Sequence, residues 1–162
     1  MRNEGLAQLK QLAITDNRRK FPDFPEAARF VKPYSDKTAN ELQRAIIDFL
    51  NFSGHFCERI SVTGRYIDNS KIVTDVLGSK RRVGSGKWIK SSMQPGSADL
   101  SAIINGMSYK LEIKIGRDKQ SDLQKQYQRG VEMAGGKYWL IHNFDEFLNY
   151  YNTLQNGKLE QY

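Results

Sequence analysis

Asp99, Glu112 and Lys114 are the residues whose types and spacing could do chemistry in this chain. Asn105-Gly106 lies between them, the strongest short turn signal in the sequence, flanked by two strand-like runs. With those two residues as the turn, Ile104 faces Met107, and Asp99 falls directly opposite Glu112. Lys114 follows two residues later and shares their face. Directly opposed side chains have Cβ atoms about 5 Å apart, and like charges there repel. A hard divalent cation turns that repulsion into a binding site, because carboxylate oxygens are the donors Mg²⁺ selects. The competing explanation is that Lys114 neutralises the pair on a solvated face.

The hairpin can position these groups because its other face is apolar. Ala98, Leu100, Ala102 and Ile104 stand against Tyr109, Leu111, Ile113 and Ile115. Residues 38–53 read as an amphipathic helix with Leu42, Ala45, Ile46, Phe49 and Leu50 in one stripe, ended by Gly54. Glu41 falls in its first turn, where an acidic residue complements the helix dipole. Residues 55–62 read as a strand. After the hairpin, Ser121 can cap a helix with Leu123, Tyr127, Val131 and Ala134 on one face, ended by Gly135-Gly136. Residues 137–142 then form a strand of buried type, and Asn143 caps a last helix bearing Phe144, Phe147, Leu148 and Tyr151. A strand–helix–strand unit in this place requires a parallel neighbour and a right-handed crossover. The expected class is α/β, with a mixed central sheet flanked by helices.

Two segments stand apart. Residues 63–97 are Gly- and Ser-rich, with one short apolar piece at Ile72–Leu77, and read as a long loop. No acidic residue falls between Asp75 and Asp99, whereas Lys80, Arg81, Arg82, Lys87 and Lys90 all do, with Trp88 among them. Cations interleaved with glycine and an aromatic suit contact with the phosphates and bases of a nucleic acid. Residues 1–37 read as an N-terminal helical extension. Leu6, Leu9, Leu12 and Ala13 form a helical face, and Pro25 can open a second helix reaching about Val31. An arm for a partner subunit or DNA and a cover over the core fit this stretch equally well.

At 162 residues the chain is expected to form one domain, with residues 38–162 as its body. The formal charge of +7 favours a polyanionic partner. Cys57 is the single cysteine, and His55 and His142 are the only histidines, so disulfides and Cys- or His-based metal clusters are poorly supplied. No apolar run reaches membrane-spanning length and no signal-peptide pattern opens the chain, so no membrane association and a cytoplasmic location are expected.

Glu41 on the first helix, Pro95-Gly96-Ser97-Ala98-Asp99, Glu112-Ile113-Lys114 and Ser121-Asp122-Leu123-Gln124 before Gly135-Gly136 together resemble the PD-(D/E)xK nuclease superfamily. Within it the resemblance is to the virus-type replication-repair nuclease branch, related to Holliday-junction-resolvase-like nucleases, and covers roughly two-thirds of the chain. One departure is visible: Pro95 stands four residues before Asp99, and Ala98 holds the place that the superfamily's name gives to proline. The resemblance implies a restriction-endonuclease-like fold and Mg²⁺- or Mn²⁺-dependent cleavage of phosphodiester bonds in branched or junction DNA by a homodimer, in phage-type replication, recombination or repair. It implies that Asp99, Glu112 and the Ile113 carbonyl hold metal, that Glu41 helps complete the site, that Lys114 assists the attacking water and that Gln124 belongs to the site. A nucleic-acid-binding module with a decayed site, and a nuclease directed at RNA, are the alternatives.

Overall fold

The computed structural model describes residues 4–60, 64–89 and 94–159. In chain order its elements are α1 (Glu4–Lys20), α2 (Ala39–Phe52), β1 (Phe56–Arg59), β2 (Arg65–Asp68), β3 (Lys71–Thr74), β4 (Lys80–Val83), β5 (Gly86–Ile89), β6 (Leu100–Ile104), β7 (Met107–Ile113), α3 (Asp122–Met133), β8 (Lys137–Ile141) and α4 (Phe144–Leu159). Strands β6 and β7 form the expected hairpin in the expected register, from Ile104 opposite Met107 to Leu100 opposite Leu111. Asn105 and Gly106 take φ of +54° and +81°. Positive φ at both central residues is the turn geometry that matches strand twist, and Asn-Gly reaches it at low cost.

The central sheet has the order β1-β6-β7-β8. The β1–β6 and β6–β7 pairs are antiparallel and β7–β8 is parallel, so the sheet is mixed, with α3 as the crossover between its parallel strands. Side-chain alternation divides the hairpin as its sequence requires. Ala98, Leu100, Ala102, Ile104, Tyr109, Leu111 and Ile113 are buried. Most of them join Leu42, Ala45, Ile46, Phe49 and Leu50 of α2 and Phe144, Phe147 and Leu148 of α4 in one core cluster. Phe49 makes edge contacts with Phe144 and Phe147 at centroid distances of 5.9 and 5.5 Å.

Within the N-terminal stretch, α1 does not stand off as an arm. Leu9 of α1 is fully buried in that same cluster, and α1 packs on α2 and α4, so the first described segment is a cover over the core. The helix expected from Pro25 to Val31 is only a 3₁₀ turn, Glu26–Ala28. Residues 61–62 of the expected first strand lie outside the described residues.

The stretch read as a basic loop is instead paired. β2 pairs antiparallel with β5 and β3 with β4, and both pairs hold one register: Arg65 opposite Ile89, and six residues further in from each end Lys71 opposite Val83. Residues 64–89 therefore form a single two-stranded ribbon, interrupted at 69–70 and 84–85 and closed by a turn at 75–79. None of its residues is buried, which is why no apolar stripe announced it. Among the described residues, no helix is long and apolar enough to cross a membrane.

Candidate active site

The second face of the hairpin, opposite the core, carries Glu112 and Lys114, and α3 lies over it. Glu112 and Lys114 are only 3% and 5% exposed, so this face is not solvated, although Lys114 does neutralise Glu112. Lys114 Nζ stands 3.0 Å from Glu112 Oε1. It also donates to Gln124 Oε1 at 3.1 Å and to Asp118 Oδ2 at 3.2 Å. Asp99, half-buried just before the first residue of β6, accepts from the backbone N–H of Ile113 through Oδ2 at 2.9 Å. The N–H and C=O of one residue point to the same edge of a strand, so the Ile113 carbonyl faces the edge on which Asp99 lies.

Helix α3 brings Gln124 into this group by its own start signal. Ser121 caps the helix through the N–H of Gln124, and Gln124 Oε1 accepts from the N–H of Ser121 at 2.8 Å, a reciprocal capping box. The same amide turns its Nε2 onto Glu112 Oε1 while its Oε1 receives Lys114. A glutamate would cap equally well but could not donate to Glu112 and would add a fourth negative charge to Asp99, Glu112 and Asp118. Gly96, at φ +79°, lies so close to the Leu123–Gln124 backbone that a Cβ would collide with it. The 95–99 turn is thereby pressed against the first turn of α3, with Asp99 at its end.

Sequence reasoning missed Tyr138 and Asp118. Tyr138 donates to Glu112 Oε2 at 3.4 Å and packs edge-on against Tyr127 of α3 at 6.4 Å. The signal was available: a parallel β8 beside β7 places Tyr138 opposite Lys110, on the face of Glu112. The apolar face read for α3 is not buried as such; Leu123 is 55% exposed, and the helix covers the sheet through Tyr127 and Gln124.

Electrostatics follow from this packing. Burial pushes the Glu112 carboxyl above the usual carboxylate range, the Lys114 hydrogen bond pulls it down, and the Asp99 charge adds to the rise. Burial alone would lower the Lys114 amine, but Glu112 and then Asp118 outweigh it and hold the amine above its ordinary value. Burial and the Glu112 charge raise the Tyr138 hydroxyl, keeping it a donor. A buried ion pair seldom adds net stability, because desolvation of both ions offsets their attraction. A second carboxylate beside such a pair adds repulsion to that cost, an arrangement found in functional sites and in structural ion-pair networks alike.

Asp99, Glu112, Lys114, Gln124 and the Ile113 backbone are thus brought together; Glu41 is not. Its Oε2 accepts from Ser35 Oγ, the Thr38 N–H and Thr38 Oγ1 at 3.1, 3.2 and 3.0 Å. Glu41 is the far half of the α2 capping box, and hydrogen bonds from Thr38 and then Ser35 hold its carboxyl below its ordinary value. Among the described residues, no three His, Cys, Asp or Glu side chains gather in a group able to hold a metal ion. The donors that do fit a hard cation are two carboxylates and a carbonyl, all oxygen, with Asp99 the more open of the two acids. Glu112 has lone pairs beyond those its three partners occupy.

The sequence-predicted nucleic-acid residues occupy the ribbon. Lys80, Arg81 and Arg82 lie on β4, and Lys87 and Trp88 on β5, all exposed; Lys90 lies outside the described residues. Arg65 and Lys71 add two cations on the facing strands. Trp88 sits opposite Tyr66, and both rings are more than half exposed, the Tyr66 ring lying where any side chain at residue 86 would collide with it. No family model matches the chain, and no curated protein matches it.

Proposed function

We propose that this protein is a Mg²⁺- or Mn²⁺-dependent nuclease with a restriction-endonuclease-like sheet, acting on DNA, with branched or junction DNA as its preferred class and a homodimer as its working form. The observation that carries the reading is the buried Glu112–Lys114 pair with Asp99 beside it, held at the open end of a hairpin by the first turn of α3. Asp99, Glu112 and the Ile113 carbonyl would hold the cation. When bound, that ion supplies Lewis-acid polarisation of the phosphate and lowers the pKa of a water. Lys114 remains protonated, held by three acceptors, and so offers a fixed positive charge to an attacking water or to phosphoryl oxygens. Gln124 fixes both Lys114 and Glu112 and keeps their distance constant. The cationic ribbon supports a polyanionic substrate.

The test is incubation with plasmid, flap, four-way-junction and matched RNA substrates in Mg²⁺ or Mn²⁺, with an EDTA control. Metal-dependent cleavage is expected; no cleavage of any substrate in either metal defeats the enzyme reading. One observation favours a second reading, a binding module without chemistry: Glu41 is engaged at its helix cap and leaves only two acidic ligands. That reading requires salt-dependent DNA binding with no cleavage under any of these conditions.

A further inference from the structure

The tip of the ribbon carries two exposed apolar side chains. Val76 and Leu77 are 102% and 88% exposed, adjacent, and at the far end of an element with no buried residue. They are not on a slack loop. Asp75 Oδ1 accepts from the N–H groups of Leu77 and Ser79 at 2.9 Å each, and backbone bonds join Asp75 to Ser79 and Gly78 at 3.0 Å. An aspartate at the first turn position and glycine at the fourth, here Gly78 at φ +81°, lock such a turn.

The shaft behind the tip is cationic on both sides. Alternation along β3 and β4 places Lys80 and Arg82 on one face and Lys71 and Arg81 on the other; Arg65 and Lys87 lie together on one face nearer the base. Its two acids are engaged: Asp68 is ion-paired with Arg82, and Asp75 holds the turn. Ten residues from Arg65 to Thr74 at about 3.4 Å each span roughly one helical turn of B-form DNA. The major groove of a duplex admits a two-stranded ribbon, and long cationic side chains on such a ribbon can reach the phosphates that border the groove. A basic surface for a membrane would need its charges on one side, toward the lipid.

We infer that the 65–89 ribbon lies in a groove of duplex DNA and wedges Val76 and Leu77 into a base step, unstacking and bending the duplex. The inference rests on the nucleic-acid half of the proposed function and deepens it. Apolar wedges of this kind open steps at the expense of stacking and gain a bent duplex that meets more protein surface. For a nuclease of branched DNA, such a bend would favour substrates that are already kinked.

The test uses the full chain in EDTA, so that it does not depend on cleavage. A linear 30-base-pair duplex carrying end-labelled fluorophores reports bending, and 2-aminopurine placed along it reports unstacking. The wild-type protein is expected to bend the duplex by roughly 20–90°, the range of wedge-inserting proteins, and to brighten 2-aminopurine at one step. Val76→Ser with Leu77→Ser should abolish both signals and leave the salt dependence of binding unchanged, since no cation is touched. These side chains are fully exposed, so melting temperature should not move. Bending by the double variant equal to wild type, or no bending by the wild type, overturns the inference. A change in sedimentation of the double variant without a change in bending would assign the tip to a second copy and also overturn it. Cleavage without bending would leave the nuclease reading standing while this one falls.

Discussion

Glu112 takes hydrogen bonds from Lys114, Gln124 and Tyr138, so its removal disturbs more than a metal ligand. Asp99→Asn is the cleaner probe, because Asp99 is half-buried and its partner is the Ile113 N–H. It should abolish metal-dependent cleavage while DNA binding persists or tightens, measured by cleavage and by binding in EDTA on one preparation. Cleavage near the wild-type rate would remove Asp99 from the site. Lys114→Ala should lower the rate on the order of 10²-fold, the scale of one positioned electrostatic contact. It also leaves Glu112 buried without its ion-pair partner, so melting must be measured alongside. Glu41 separates two roles with one substitution. Glutamine completes a capping box as well as glutamate does, so Glu41→Gln should keep both melting temperature and cleavage rate. Loss of cleavage at unchanged stability would return Glu41 to the metal.

At the scale of elements, the helices carry their own start signals, and those signals set the site. Ser121 and Gln124 begin α3 and, through the same Gln124 amide, clamp Glu112 and Lys114. Thr38 and Glu41 begin α2. Of the two boxes the sequence reading named only the Ser121 cap; that one of the two reaches the site and the other does not depends on which sheet face each helix covers. Helix α1 offers a pH prediction. Asp16 lies one turn before Lys20 and beside Arg19, with ion pairs of 2.7 and 2.6 Å, and the Lys20 hydrogen bond leads in holding its carboxyl below the ordinary aspartate value. A group with a lowered folded pKa stabilises above its unfolded pKa and loses that contribution as pH falls through the folded one. Asp16→Asn should therefore flatten the acid limb of the stability profile, followed by urea melts from pH 7 down to pH 2. The effect should be small, since both cations are more than half exposed and screened by solvent. An unchanged acid limb would mean the pairs do not persist in solution.

Across the whole molecule the charge is uneven: 17 of the 25 Lys and Arg residues lie in 1–97 and 8 in 98–162. The ribbon holds a dense part of that excess outside the core, which is where a polyanion can reach it. Replacing Lys80, Arg81, Arg82, Lys87 and Lys90 together by alanine should weaken binding to every DNA shape alike. It should flatten the log–log salt slope by about 0.9 for each phosphate that the protein no longer neutralises. A wild-type slope in the quintuple variant would show that the ribbon meets no phosphate. Loss of junction preference with unchanged affinity for linear duplex would assign it to shape instead.

The hairpin was readable because its determinants are local. Asn105-Gly106 sets the turn, the turn sets the register, and the register sets which residues face Glu112. The helices over 38–53 and from 121 were readable for the same reason, the first through its apolar period and the second through its Ser121 cap and period. The ribbon was not, because a strand pair with neither face buried shows no apolar alternation against a polar background. Its pairing is legible only after the fact, in a turn of Asp75 and Gly78 and a common register on both sides. Tertiary structure alone decided the burial of Glu112 and Lys114, the contact of Tyr138, the use of α1 as a cover and the exclusion of Glu41. Each of these depends on which element lies over which sheet face, a choice made by the sum of long-range packing and carried by no single stretch of the chain.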